Sequence, residues 1–145
     1  MAEYEEIKSG KRFMGKLRHG ADLLKELTAV CRKQNIKLGR IEGLGAVQRA
    51  CIAFYDQQAR EYRPVTIDCP LEILKLIGNV SLKDGEPFVH AHVTLADGEG
   101  KAYGGHLAAG TAVFACEFIL EALEGPAFER GYDEETGLQL WKIAG

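Results

Sequence analysis

The clearest periodicity in the chain lies in GADLLKELTAVCRKQN, where Leu23, Leu24, Leu27, Val30 and Cys31 recur at helical spacing and form one apolar stripe. The pattern predicts a helix. Asp22 suits its first turn, Arg32 and Lys33 complement the dipole at its end, and Asn35 marks a stop. Upstream, KRFMGKLR sets Phe13 and Leu17 against Arg12, Met14, Lys16 and Arg18 on the alternate positions, the pattern of an entering strand.

Beyond the helix the texture changes to short runs of branched and aromatic residues broken by glycine, proline and charged turns. Strands are predicted in GRIEGLGAV, ACIAFY, EYRPVTI, EILKLIGNVSL, FVHAHVTLA, KAYGGHL and LQLWKI. AVFACEFILEAL alternates at Phe114, Cys116, Phe118 and Leu120. Its alanine and glutamate content also suits a helix, and its setting among strands decides for a strand. ERGYDEETG reads as a solvated acidic loop, and Leu138, Leu140, Trp141 and Ile143 as a late apolar strand covering the sheet or a neighbouring subunit. One helix followed by a run of strands, without regular alternation of the two, predicts an α+β fold: a mostly antiparallel sheet with one main helix packed on it. No repeat or linker interrupts the pattern, so residues 1–145 read as a single domain.

Composition narrows the class. Apolar residues are 46% and charged residues 27% of the 145, the balance of a soluble globular protein. A net charge of -3 offers no electrostatic footprint for a phosphate backbone. Arg12, Lys16, Arg18, Arg32, Lys33, Arg40 and Arg49 are scattered and read as solvated surface. Cys31, Cys51, Cys69 and Cys116 lie far apart with no CxxC pair, which argues against a thiolate zinc site or a redox motif and for small buried apolar residues. Free thiols, the polar start MAEYEEIKSG and the lack of any run of membrane-spanning length lead us to expect a cytoplasmic protein without membrane contact.

The candidate chemistry sits in HAHVTLADGEGKAYGGH, which holds three of the four histidines, His90, His92 and His106. In ADGEGK the glycines favour a three-residue loop, Gly98, Glu99 and Gly100, with Gly100 at the left-handed position. If Asp97 and Lys101 close it, opposed residue numbers sum to 198. His92 then faces His106, His90 lies two residues along on the same face, and Thr94 faces Gly104, which leaves room beside the cluster. A loop of two or four residues would send His106 to the opposite face. Residues two apart on a strand have Cα atoms about 6.5–7 Å apart, and directly opposed Cβ atoms start about 4.5–5.5 Å apart, so three imidazoles can converge.

Three neutral imidazoles without a fourth protein ligand are the pattern of an open zinc site, and nickel, copper or ferrous iron accept the same donors. The plain alternative, hydrogen-bonded or surface histidines, stays open at this stage. His19 stands alone and is expected to face solvent. A metal with an open position would activate water or polarise a carbonyl, which calls for a base. Glu42 and Glu86 are candidates by residue type, an exposed strand position being the alternative for each. No reaction or catalytic residue is specified. EGLG and YGGH lack the GxGxxG spacing of a dinucleotide site, so these glycines are expected to allow bulges or close approach.

Taken together these segments resemble the plant and prokaryote conserved (PPC) domain, a family of unknown function. KRFMGKLRHGADLLKELTAVCRKQNI resembles its opening strand and helix, and GRIEGLGAVQRACIAFYD its glycine-containing strand pair. LEILKLIGNVSLKDGEPFVHAHVTLADGEGKAYGGHL, with HxH followed by GGH, resembles its most characteristic segment. The resemblance implies a homotrimer and a metal held by the three histidines. It also implies DNA binding, by kinship with plant proteins that join the domain to AT-hooks. No Arg-Gly-Arg-Pro run occurs here, so DNA binding carries over by association alone. Two functions follow from this reading: a trimeric DNA-binding or regulatory module with an accessory metal, or a metal-dependent enzyme or small-molecule-binding protein.

Overall fold

The computed structural model describes residues 1–143. Strand β1 (Lys8–Leu17) precedes helix α1 (Leu23–Lys33), and eight further strands follow: β2 (Gly39–Asp56), β3 (Glu61–Ile67), β4 (Leu71–Lys83), β5 (Glu86–Ala96), β6 (Ala102–Leu107), β7 (Ala112–Glu124), β8 (Glu129–Tyr132) and β9 (Gln139–Lys142). The expected α+β character, mostly strand with one short helix, is present.

Helix α1 begins where Asp22, in extended backbone, accepts a 3.0 Å hydrogen bond from the Lys25 N–H. Asp22 is therefore the N-cap and stands just outside the first turn, where its oxygen satisfies a backbone donor the helix cannot. At the other end Asn35 takes φ 52°, and the Ile36 N–H donates to the Cys31 carbonyl at 2.8 Å. Leu23, Leu27 and Cys31 face the sheet, fully or almost fully buried. Each leucine contributes roughly 1.5–3 kcal/mol by leaving water.

The strands form one sheet in the order β1-β7-β2-β6-β5-β4-β8-β9, with β3 paired to β2 and a further β2–β4 pairing. The first half of β2 pairs with β4, from Gly39↔Val80 to Val47↔Leu71, and its second half pairs with β6 through Ile52↔Leu107 and Ala53↔His106. The circuit β2–β4–β5–β6 therefore closes on itself around a core that includes Ile41, Val47, Leu76, Val80, Leu95 and Leu107. Among the described residues all pairings are antiparallel except the single contact of Leu82 with Glu129.

Several expectations change. GRIEGLGAV and ACIAFY belong to one strand, because bulges around Gly45 bend β2 without ending it. Gly45 sits at φ 146°, and a Cβ there would collide with the Ala115 carbonyl oxygen. A register shift in β7 puts Val113 into the core and leaves Phe114 58% exposed, off the face its alternation suggested. ERGY is strand β8, not loop: Phe128 is buried just before it, and its carbonyl accepts from the Leu82 N–H at 2.9 Å, which starts the β8–β9 hairpin against β4. Trp141 and Leu140 in β9 stay partly exposed, since β9 pairs with β8 alone. Cys31 and Cys116 are buried as expected, whereas Cys51 is half-buried and Cys69 exposed; all four thiols are free.

The β5–β6 turn has the predicted three-residue form. The Asp97 N–H donates to the Lys101 carbonyl and the Gly100 N–H to the Asp97 carbonyl, each at 3.0 Å. The Asp97 carboxylate accepts from the Glu99 and Lys101 N–H groups at 2.9 Å and from the Tyr103 hydroxyl at 3.0 Å. These bonds hold its carboxyl below the ordinary range, the Lys101 N–H contributing most. Gly100 adopts φ 78°. A side chain at that angle is strained, so Gly100→Val is expected to lower unfolding stability by about 1–2 kcal/mol, measured by urea denaturation with an unchanged m-value.

Candidate metal centre

Strand alternation builds the site. On β5, Val89, Ala91, Val93 and Leu95 enter the core, while Phe88, His90, His92 and Thr94 lie on the opposite face. Across β4 these outward residues meet Ser81, Asn79, Ile77 and Lys75. On the other side His92 opposes His106 and Thr94 opposes Gly104, the register anticipated from the turn.

The three rings converge. Their centroids are 5.1 Å apart for His90 and His92, 5.0 Å for His90 and His106, and 5.6 Å for His92 and His106. One ring nitrogen from each lies within 4.8 Å of the others. Nitrogens sharing a tetrahedral ion at about 2.0–2.1 Å stand about 3.4 Å apart, so small χ rotations would draw the rings onto it. His106 Nδ1 is buried without a hydrogen-bond partner, the only such side-chain atom among the described residues. Leaving it unsatisfied costs about 1–3 kcal/mol, a penalty that a ligated cation would remove.

Electrostatics favour ligation. Burial, helped by His106, Arg130 and His92, pushes His90 down to about 4. Burial, then His92 and Arg130, also lowers His106. Both rings are therefore neutral at pH 7, with a lone pair free for a metal. The donor set suits zinc and its neighbours in the first transition row, while offering no oxygen cage for calcium or magnesium.

Two hairpins flank the cluster. From the β2–β3 hairpin, the Tyr62 ring lies 4.7 Å from that of His106 and 5.0 Å from that of Tyr55. From the β8–β9 hairpin, Arg130 donates to Ser81 Oγ at 2.9 Å, to Asn79 Oδ1 at 3.0 Å and to the Gln139 carbonyl at 3.0 Å. Its guanidinium packs 5.1 Å from Phe88 and 5.6 Å from Trp141. The hairpins also join: the Tyr55 hydroxyl donates to the Thr136 carbonyl at 2.6 Å, and Arg60 donates to the Glu134 and Glu135 carbonyls at 3.0 and 3.1 Å. Beneath them is a cavity of about 250 Å³ reached by His90 and His106.

On the other side of the rings, His90 and His92 border a shallower recess of about 400 Å³ together with Glu42 and Arg40. Glu42 thus shares the histidine face, ion-paired to Arg40 at 3.0 Å. Glu86 borders neither recess, and its carboxylate faces Arg32 at 3.8 Å. His19 is exposed and remote, its Nδ1–H donating to the Phe114 carbonyl at 2.9 Å. Tyr62 and Arg130 were not singled out from sequence. Their one local signal is the pairing of a basic residue with aromatic neighbours in FERGY and EYR.

Stability should follow the half-buried rings. Unfolding restores their ordinary value of 6.5, so between that pH and about 4 the unfolded chain binds protons that folded His90 refuses. The contribution is intact above 6.5 and drains away as pH falls through that window. Metal-free protein is expected to melt at a lower temperature at pH 5 than at pH 7, and His90→Gln should reduce that difference.

Comparison with known proteins places these features in a family. The profile of the Plants and Prokaryotes Conserved (PCC) domain matches residues 4–124. A metal-containing protein from Archaeoglobus fulgidus is 43% identical, with a TM-score of 0.93 over 97% of this chain and 99% of that one. A plant- and prokaryote-conserved protein from Pyrococcus horikoshii is 36% identical, with a TM-score of 0.92 over 98% of both. A DNA-binding candidate from Bacteroides thetaiotaomicron is 25% identical, with a TM-score of 0.85 over 94% of this chain and 97% of that one. The bifunctional protein GlmU of a Synechococcus strain is 32% identical over 131 residues, 87% of this chain. The chain spans 20% of the length of the curated relatives it matches.

Proposed function

The chain belongs to the Plants and Prokaryotes Conserved domain family, and we propose that it is a single-domain, homotrimeric, cytoplasmic protein with a divalent metal centre on His90, His92 and His106. Zinc is the metal we assign first. The observation that carries the reading is the meeting of three ring nitrogens, one from each histidine, within 4.8 Å, beside which His106 Nδ1 is buried without a hydrogen-bond partner. The metal-containing relative from Archaeoglobus fulgidus supports it. A bound divalent ion supplies Lewis acidity and an open coordination position. The chain's own residues then hold and orient what enters: Tyr62 walls one side of His106, and Glu42 offers a carboxylate on the His92 side. This arrangement favours a small-molecule binder or metal-dependent enzyme over a purely structural metal.

The trimer is supported by an apolar hollow that shares Glu42 with the histidine recess. Met14, Leu44, Leu74 and Ile119 are 83%, 57%, 57% and 43% exposed and border a cavity of about 730 Å³. Large apolar side chains grouped in this way mark a surface for association. In protein purified without a tag or added metal, elemental analysis should find about one equivalent per chain, and sedimentation should give three times the chain mass. Replacing all three histidines by alanine should abolish the metal while retaining the fold. A parent protein with far less than one equivalent would end this reading.

A second reading, DNA binding, draws on the relatives that carry that description. Its electrostatic support is thin: Arg12, Arg32 and Arg40 are already paired with Glu121, Glu86 and Glu42. Sequence-independent affinity comes from unpaired cations neutralising phosphates. Measured by fluorescence anisotropy on a mixed-sequence duplex, binding is expected to vanish between 50 and about 200 mM salt; persistence with a steep salt slope would favour the DNA reading.

A further inference from the structure

We infer that the cavity beneath the two joined hairpins is the ligand chamber of the metal centre, built for a small molecule that carries an oxyanion, with Arg130 as the residue that recognises it. This inference rests on the metal-centre reading above and adds to it the class of ligand.

Arg130 lines the chamber. Its guanidinium is half-buried, and its three hydrogen-bond acceptors, Ser81 Oγ, Asn79 Oδ1 and the Gln139 carbonyl, are all neutral. Among the described residues no carboxylate lies within ion-pair distance of it. A guanidinium has five N–H groups, so two remain without a protein acceptor. A positive charge withdrawn from water without a counter-charge is costly, and an anion entering beside it would remove that cost. Arg60 and Lys83 border the same chamber, where, among the described residues, the only carboxylate is that of Glu61. The lining is therefore cationic, in a chain whose net charge is -3.

Shape agrees with charge. The chamber opens onto His90 and His106 at its floor, has the Tyr62 and Phe88 rings on its sides, and holds about 250 Å³. That is smaller than the about 300–1,000 Å³ of pockets for drug-sized ligands. A metabolite with one carboxylate or phosphate suits it, the oxyanion meeting Arg130 while the remainder reaches the histidines. The β8–β9 hairpin that supplies Arg130 lies at residues 129–142, beyond the stretch 4–124 matched by the family profile.

The test uses cobalt(II)-loaded protein, whose visible absorption reports the metal's surroundings, with azide, benzoate and inorganic phosphate as probes. Trp141, the only tryptophan, provides a second readout through its emission. Benzoate or phosphate should change both signals saturably, and whichever does so identifies the oxyanion class. Arg130→Gln should weaken that response at least tenfold. Because Arg130 also anchors the hairpin, Lys83→Gln, which removes a lining cation but no hairpin anchor, should weaken it severalfold with the metal retained. Cobalt that responds to azide but to neither oxyanion, or equally in parent and both variants, overturns the chamber and leaves the metal centre standing. Failure to bind cobalt overturns both.

Discussion

A β-strand turns successive side chains to opposite faces, so the number of residues in one turn decides which face every later residue occupies. In this protein the turn is the three-residue loop between β5 and β6, and Asp97 controls it by accepting the N–H groups of Glu99 and Lys101. Gly100 takes the left-handed angle that the closure needs. With that count His106 comes to stand opposite His92, beside His90. A count different by one would leave two imidazoles outside and put the third in the core. The hydrogen bonds of one surface aspartate therefore stand behind the chemistry proposed for the whole molecule.

The rest of the fold turns that parity into an environment. Closure of the circuit β2–β4–β5–β6 keeps the histidine-bearing strands rigidly paired, and the helix covers the core without approaching the outer face. Two hairpins extend past the sheet and join over the rings, so an outward face that would otherwise be wet is half-buried. Half-burial has two opposed effects. It leaves His106 Nδ1 without a partner, which costs stability, and it holds His90 and His106 neutral, which is the state a metal needs. An unsatisfied buried donor-acceptor atom tolerated at a convergence of ligands is the mark of a site kept for use rather than for folding.

The extent to which the sequence disclosed this follows the range of each interaction. The helix, the antiparallel character and the His92–His106 register depend on contacts between residues close in sequence, and periodicity with turn chemistry was enough to read them. The bulge of β2 was expected at the glycines of EGLG, whereas the continuity of the strand through it was not, because glycine in a strand signals either a break or a bulge and the outcome depends on how closely Ala115 of β7 approaches Gly45. Strand β8 was hidden because its four residues look like a charged loop until Phe128 is buried and Leu82 of β4 supplies a hydrogen bond. Arg130 was invisible for the same reason: its partners Ser81 and Asn79 lie about fifty positions earlier. Glu42 and Glu86 were alike as candidates by residue type; Glu42 shares the histidine face, whereas Glu86 differs from any exposed glutamate in nothing but a distant ion pair.

In this reading the barrel strands would hold the metal and the β8–β9 hairpin would choose what reaches it. The account is tested most directly by X-ray absorption at the metal edge on tag-free protein. It predicts three imidazole nitrogens at about 2.0–2.1 Å with an exchangeable oxygen as the fourth scatterer. A spectrum dominated by sulfur, or by oxygen with fewer than three imidazoles, would contradict it.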